Sequence, residues 1–141
     1  MHRLEEDLGF LLAKTHRAMR RWLVPQLGPL GVTYEQFKVL NALCEEDDLS
    51  QNDLAGRVTT DKTSLARTLV RMEKAGLICR VPDTADSRIR RVSPTRIGRE
   101  IQAQIVTLRE AGLGKAVQGL TSKEVVALKR LLRKVCDNMD C

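Results

Sequence analysis

Apolar side chains recur along this chain at three- and four-residue spacing, the signature of amphipathic helices. Leu4, Leu8, Leu11, Leu12, Thr15, Met19, Trp22 and Leu23 mark one face of a first helix, from about residue 4 to residue 25. Pro25, Gly28, Pro29 and Gly31 break it. Thr33 opens a second helix, with Gln36 at capping-box spacing and Phe37, Leu40 and Leu43 on the apolar face. The acidic run at 45–48 reads as a loop. Ser50 with Asp53 starts a short helix, roughly 51–57, that buries Leu54 and Ala55. A turn at 58–60 leads to a longer helix over about 61–75, with Leu65, Leu69 and Met72 inward and Gly76 as its terminal glycine. Two helices joined by so short a turn form a helix-turn-helix unit.

After Gly76 the period changes. Leu77, Ile78, Cys79, Arg80 and Val81 read as a short strand, residues 82–87 as a turn, and 89–93 as a returning strand with basic outward positions. A hairpin directly after a helix-turn-helix is a winged arrangement. Thr95 then caps a helix over about 96–113, with Ile97, Ile101, Ile105 and Leu108 as its stripe and Gly112 and Gly114 weakening its end. Thr121 and Glu124 form a further capping box, and Val125, Leu128, Leu132 and Val135 stripe the last helix. The small winged unit cannot cover the stripes of both terminal helices. Burial against a second copy, as in the common two-fold dimer, solves this. The predicted fold is mainly α with a small β-hairpin wing. One domain spans 1–141: a winged helix-turn-helix lobe at 33–95, flanked by helical dimerisation segments at 1–30 and 96–141.

Composition narrows the function. The 141 residues, 43% hydrophobic, suffice for one ordinary core. No apolar run approaches the ~20 residues that span a bilayer. The acidic start lacks the basic and apolar regions of a signal peptide. The expectation is a cytoplasmic protein with no membrane partner. Phe10, Trp22, Tyr34 and Phe37 are the only aromatic residues, too few for a base-stacking platform. Cys44, Cys79, Cys136 and Cys141 form no CxxC pair, and His2 and His16 lie far from them, so no metal or cofactor is called for. The apolar neighbours of Cys44 and Cys79 place both in the core. No Ser/His/Asp set, paired carboxylates or Gly-rich phosphate loop suggests an enzyme.

Charge points elsewhere. The net charge is +6, and residues 80–99 hold six arginines against two aspartates. Such a block suits a polyanion, DNA first. A helix fits the major groove, where base edges are distinguishable. The second helix of the unit offers Lys62 for a phosphate, Thr63 and Ser64 for phosphate or base edges, Arg67 for a bidentate bond to guanine, and Arg71 one turn on. The hairpin carries Asp86, Arg88, Arg90 and Arg91. An arginine at its tip suits a narrow A·T minor groove, with Asp86 orienting Arg88.

These residues resemble a family. The runs Ser50-Gln-Asn-Asp-Leu-Ala55, Asp61-Lys-Thr-Ser-Leu-Ala-Arg67 and Glu73-Lys-Ala-Gly-Leu-Ile-Cys-Arg80 are similar to the MarR family of bacterial transcription regulators. Asp86-Ser87-Arg88 matches its Asp-x-Arg wing motif, and Thr95 and Gly98 match the Thr and Gly that follow. The family's Leu before that Thr is replaced by Pro94, which stops the strand and bears on the wing's angle. The resemblance implies a homodimeric repressor or activator, with repressor the reading taken, on double-stranded, pseudo-palindromic operator DNA. It implies recognition helices in successive major grooves, wings in the flanking minor grooves, and release by a small aromatic or anionic effector. The family's effector pocket maps to His16, Arg20, Tyr34 and Phe37. A redox-sensing branch uses a cysteine near the first helix; this chain has none before Cys44. Thiol sensing is the alternative reading, and a non-specific architectural or protein-interaction module is the other. The basic face argues against interaction alone.

Overall fold

The computed structural model describes residues 3–58 and 60–140. His2, Thr59 and Cys141, which entered the sequence reading, lie outside the described residues. A single 3-10 turn, Leu4–Glu6, comes first. Helix α1 spans Leu8–Leu23. Its start is later than apolar periodicity implies because Asp7 caps it, accepting the Phe10 N–H at 2.9 Å. Beyond it Pro25 and Pro29 enter 3-10 turns at Val24–Gln26 and Gly28–Leu30, and Gly31 takes the left-handed φ of 76° that ends them.

Helix α2 is Tyr34–Ala42, with the Thr33/Gln36 capping box formed in both directions. A two-residue strand, β1 at Leu49–Ser50, follows the acidic loop. Sequence reading missed it, since two residues carry no period. Helix α3 is Gln51–Val58, its first turn held by the Asp53 N–H donating to Ser50 Oγ at 3.1 Å. Helix α4 is Lys62–Lys74, and Asp61 caps it. Strands β2, Ile78–Pro82, and β3, Arg90–Pro94, complete an antiparallel sheet in the order β1-β3-β2. Pro94 is the last residue of β3, paired with Ile78. It needs no ladder N–H there, because the Thr95 N–H takes over, donating to the Leu77 carbonyl at 3.0 Å.

Helices α5, Arg96–Ala116, and α6, Ser122–Asp140, finish the chain. Gly112 and Gly114 do not end α5. The Trp22 ring lies where a Gly112 Cβ would come within 2.9 Å of it, so tertiary packing carries the helix on, and the turn comes at Gly119 with φ 82°. Ile97 is also not on the inner stripe. It is 53% exposed, because Gly98 turns the first turn of α5 onto the Leu77 carbonyl. One core joins all of this. Leu40 and Leu43 of α2 and its C-terminal end meet Leu54 of α3, Leu65, Leu69 and Met72 of α4, Ile78 and Val92 of the sheet, and Ile105 of α5. Gln102, buried on α5, donates to the Leu40 carbonyl at 3.0 Å and so satisfies an end-of-helix acceptor. No helix among the described residues is long and apolar enough to cross a membrane.

Candidate nucleic-acid interface

Helix α4 buries Leu65, Leu69 and Met72, which leaves Lys62, Thr63, Arg67 and Arg71 on its exposed side. The side chains of these four form no hydrogen bond or ion pair with another described residue. Ser64 differs. Its N–H donates to Asp61 Oδ1 and its hydroxyl to Asp61 Oδ2, each at 2.8 Å. Those bonds hold the Asp61 carboxyl below its ordinary value, the backbone N–H contributing most. The Ser64 hydroxyl therefore serves the start of the helix in the unbound chain.

At the end of α4, Glu73 accepts from the Arg80 guanidinium at 3.1 Å, and Arg80 also reaches Gln51 Oε1 at 3.4 Å. Arg80 thus ties α4 and α3 to β2. Sequence reading gave it no such role, because its partners stand 7 and 29 residues away. The hydrogen bond from Arg80 holds the Glu73 carboxyl below its ordinary value. Arg90 stands two residues before the buried Val92 on β3 and so shares its face of the sheet, the one turned toward the helices.

The wing is built by two aspartates. Asp83 Oδ2 accepts the N–H groups of Ala85 at 2.9 Å and Asp86 at 3.0 Å, folding the tip. Asp86 in turn accepts from Arg88: its N–H at 3.0 Å, and its Nε and Nη2 at 3.1 Å each. This is the orienting bond expected from the sequence, and it lowers the Asp86 carboxyl. The Arg88 side chain is 89% exposed, fixed at its head yet open to a partner. Arg91 is only 31% exposed and is held elsewhere, by Asp48 and Asp83. The structure so brings Arg88 and Arg90 onto an open wing and binds Arg91 into the fold.

Of the four effector candidates, three meet. The Arg20 guanidinium lies 4.2 Å from the Tyr34 ring centroid, and Tyr34 stacks on Phe37 at 6.1 Å. Lys38, not singled out from the sequence, stands over the same ring at 5.2 Å. Its four-residue spacing from Tyr34 was the available signal. His16, one turn before Arg20, is exposed. Ala18, Met19 and Trp22 on α1 line an apolar cleft of about 240 Å³ with the end of α5.

The cysteines correct an expectation. Cys79 is exposed, because Ile78 takes the core side of β2 and the next side chain must face away. Cys44 is only half-buried. Burial raises its thiol pKa, Arg109 lowers it and Glu45 raises it, for a net rise. Asp140, which accepts from Cys136 Sγ at 3.4 Å, raises that thiol too. Neither setting favours the thiolate on which redox sensing depends. Among the described residues no cluster of His, Cys, Asp or Glu is arranged to hold a metal.

Comparison with known proteins adds relatives. Residues 32–89 match the model of the MarR family. A mutant of Escherichia coli MarR in complex with operator DNA is similar in structure, at a TM-score of 0.81 and 31% identity over 91% of this chain and 92% of that one. Bordetella bronchiseptica BpsR, whose DNA binding is regulated by 6-hydroxynicotinic acid, superposes at a TM-score of 0.86 with 26% identity over 97% and 98% of the two chains. The organic hydroperoxide resistance transcriptional regulator of Bacillus subtilis is 29% identical over 97% of this chain and 92% of its own length.

Proposed function

The chain belongs to the MarR family and is a DNA-binding regulator of transcription rather than an enzyme; from that premise we propose that it is a homodimeric repressor that reads a pseudo-palindromic operator and is released by a small anionic aromatic ligand. The observation that carries the reading is the open basic face: Lys62, Thr63, Arg67 and Arg71 on α4 beside an Arg88 held at the wing tip by Asp86. In this reading α4 enters the major groove and Arg88 the flanking minor groove. Arg67 reads a base, Lys62 and Arg71 meet phosphates, and Ser64 exchanges its Asp61 bond for DNA only at the expense of the cap.

Residues 33–95 act as the DNA-binding lobe, and 1–30 with 96–141 as the pairing region. Support for pairing is that neither α1 nor α6 buries a single residue, while Leu8, Leu11, Leu12 and Met19 of α1 and Leu128, Leu131 and Leu132 of α6 stand exposed. Apolar area of that extent seeks a partner surface. Two recognition helices then fall about one helical turn apart, roughly 34–36 Å. Support for the effector is the Arg20–Tyr34–Lys38 group, two cations against one aromatic ring, which suits a carboxylate on a flat ring. The related BpsR responds to such a molecule.

Selection of genomic fragments with purified protein, then titration of the enriched site at two salt concentrations, tests the proposal. A two-fold-symmetric motif bound at least ~1,000-fold above random DNA supports it. Weak binding with no enriched motif refutes operator reading and leaves an architectural role.

A further inference from the structure

We infer that Arg91 is a positioning residue rather than a DNA contact: it braces the wing against the acidic loop before β1 and thereby sets where Arg88 stands. The inference rests on the DNA-binding reading above. Arg91 lies on the central strand, paired with Ser50 of β1 on one side and Val81 of β2 on the other. Val92 and Pro94 point into the core, so Arg91 and Ser93 occupy the opposite face of the sheet. Val92 shares its core with Leu69 and Met72 of α4. Arg91 is therefore on the face turned away from the recognition helix, whereas Arg90 is on the near side.

Its guanidinium is already engaged. Nε donates to Asp48 Oδ1 at 3.0 Å, Nη2 to the Asp48 carbonyl at 3.1 Å, and Nη1 to Asp83 Oδ1 at 3.3 Å. Two carboxylates answer one cation, so the group offers phosphate little free charge. What Arg91 holds matters more. Asp83 uses its other oxygen to fold the tip through Asp86, and Asp86 orients Arg88. A continuous set of bonds runs from Asp48 through Arg91, Asp83 and Asp86 to Arg88. The loop at its root is itself pinned, since Glu46 accepts from Arg57 at the end of α3 at 2.7 Å and Asp47 from Arg99 on α5 at 3.3 Å. The loop thereby gives α3, the wing and α5 one common anchor. Two residues that nothing in the sequence marks as functional, Asp48 and Asp83, belong to it.

The experiment measures operator affinity against salt for wild type, Arg88→Ala, Arg91→Ala, Arg91→Lys, Asp48→Asn and the Arg91→Ala/Asp48→Asn double variant, with far-UV circular dichroism to confirm folding. Sites carrying A·T or G·C flanks are compared. Positioning predicts that Arg91→Ala and Asp48→Asn each lose about five- to tenfold in affinity and most of the preference for A·T flanks. The salt slope stays at the wild-type value, and the double variant is no worse than either single one. Arg91→Lys fails to rescue, since one ammonium cannot replace a fork spanning two carboxylates. A phosphate contact predicts the reverse: Arg91→Ala lowers the slope by about 0.9, Arg91→Lys behaves as wild type, and Asp48→Asn is silent. That pattern overturns the inference. Failure of Arg88→Ala to change flank preference instead overturns the minor-groove reading beneath it.

Discussion

Replacing Gly98 by alanine should damage this fold more than the small change suggests. Gly98 is buried in the first turn of α5, and its Cα faces the carbonyl that ends the α4-to-β2 turn. A Cβ there would overlap the Leu77 carbonyl oxygen, and it would lie 3.2 Å from the Leu77 carbon and 3.3 Å from Pro94 Cβ. The first two are backbone atoms, so no side-chain rotation relieves the clash. The same carbonyl accepts the Thr95 N–H at 3.0 Å, and the Thr95 hydroxyl donates to the Gly76 carbonyl while accepting the Gly98 N–H at 3.1 Å. Moving α5 outward strains the two of these bonds that leave the helix, from the Thr95 N–H and hydroxyl to the Leu77 and Gly76 carbonyls. Overpacking costs about 1–3 kcal/mol, and each weakened bond adds about 1 kcal/mol. The better helix propensity of alanine offsets about 1 kcal/mol. The net expectation is a loss of about 3 kcal/mol, a Tm lower by roughly 10 °C for a chain of this size. Thermal and urea unfolding at matched protein concentration measure it. Gly56→Ala in α3 is the control. Nothing lies within 4 Å of its Cβ position, so it should gain about 0.5–1 kcal/mol. A Gly98→Ala protein within 1 kcal/mol of wild type would refute the reasoning.

Arg67→Ala should relax specificity at one base pair in each half-site, costing about 1–3 kcal/mol against the preferred base and little against others, as read by competition with single-substituted operators. Arg88→Ala should weaken A·T-flanked sites most and leave G·C-flanked sites nearly unchanged. The Asp61 carboxyl is depressed below its ordinary 3.8, so its stabilising contribution is present above that value and fades as pH falls toward the folded value. Asp61→Asn, which caps as well, should match wild type at pH 7 and flatten the acid side of its stability profile. Leu128→Lys with Leu132→Lys on α6 should give a folded monomer in sedimentation velocity that no longer holds its operator; an intact dimer would move the pairing surface elsewhere. Arg20→Ala should abolish release by aromatic carboxylates without changing operator affinity, measured by fluorescence anisotropy.

Local chemistry made much of this protein legible in its sequence. The Thr33 and Thr121 capping boxes, the Gly76 turn and the apolar stripes each act within four residues, so they announce helices wherever they occur. The order of those elements, followed by a basic hairpin, fixed the winged architecture, and Asp86 beside Arg88 already spelled out a wing-tip ion pair. What the sequence left open is held by contacts between distant residues. Strand β1 exists because β3 pairs with it, Leu49 with Val92 and Ser50 with Arg91, far along the chain. Helix α5 runs through Gly112 and Gly114 because Trp22 packs on it, although glycine alone argues for an end. Cys79 and Ile97 turn outward because Ile78 and Gly98 take the inner positions. Arg91 looks in sequence like its neighbour Arg90, and only the pleat separates them: one faces the recognition helix, the other is bound to Asp48 across 43 residues. Composition sets how much positive charge the wing carries. Which of those charges stays free for DNA is decided by which carboxylates the folded chain brings within bonding distance, and that depends on the fold as a whole.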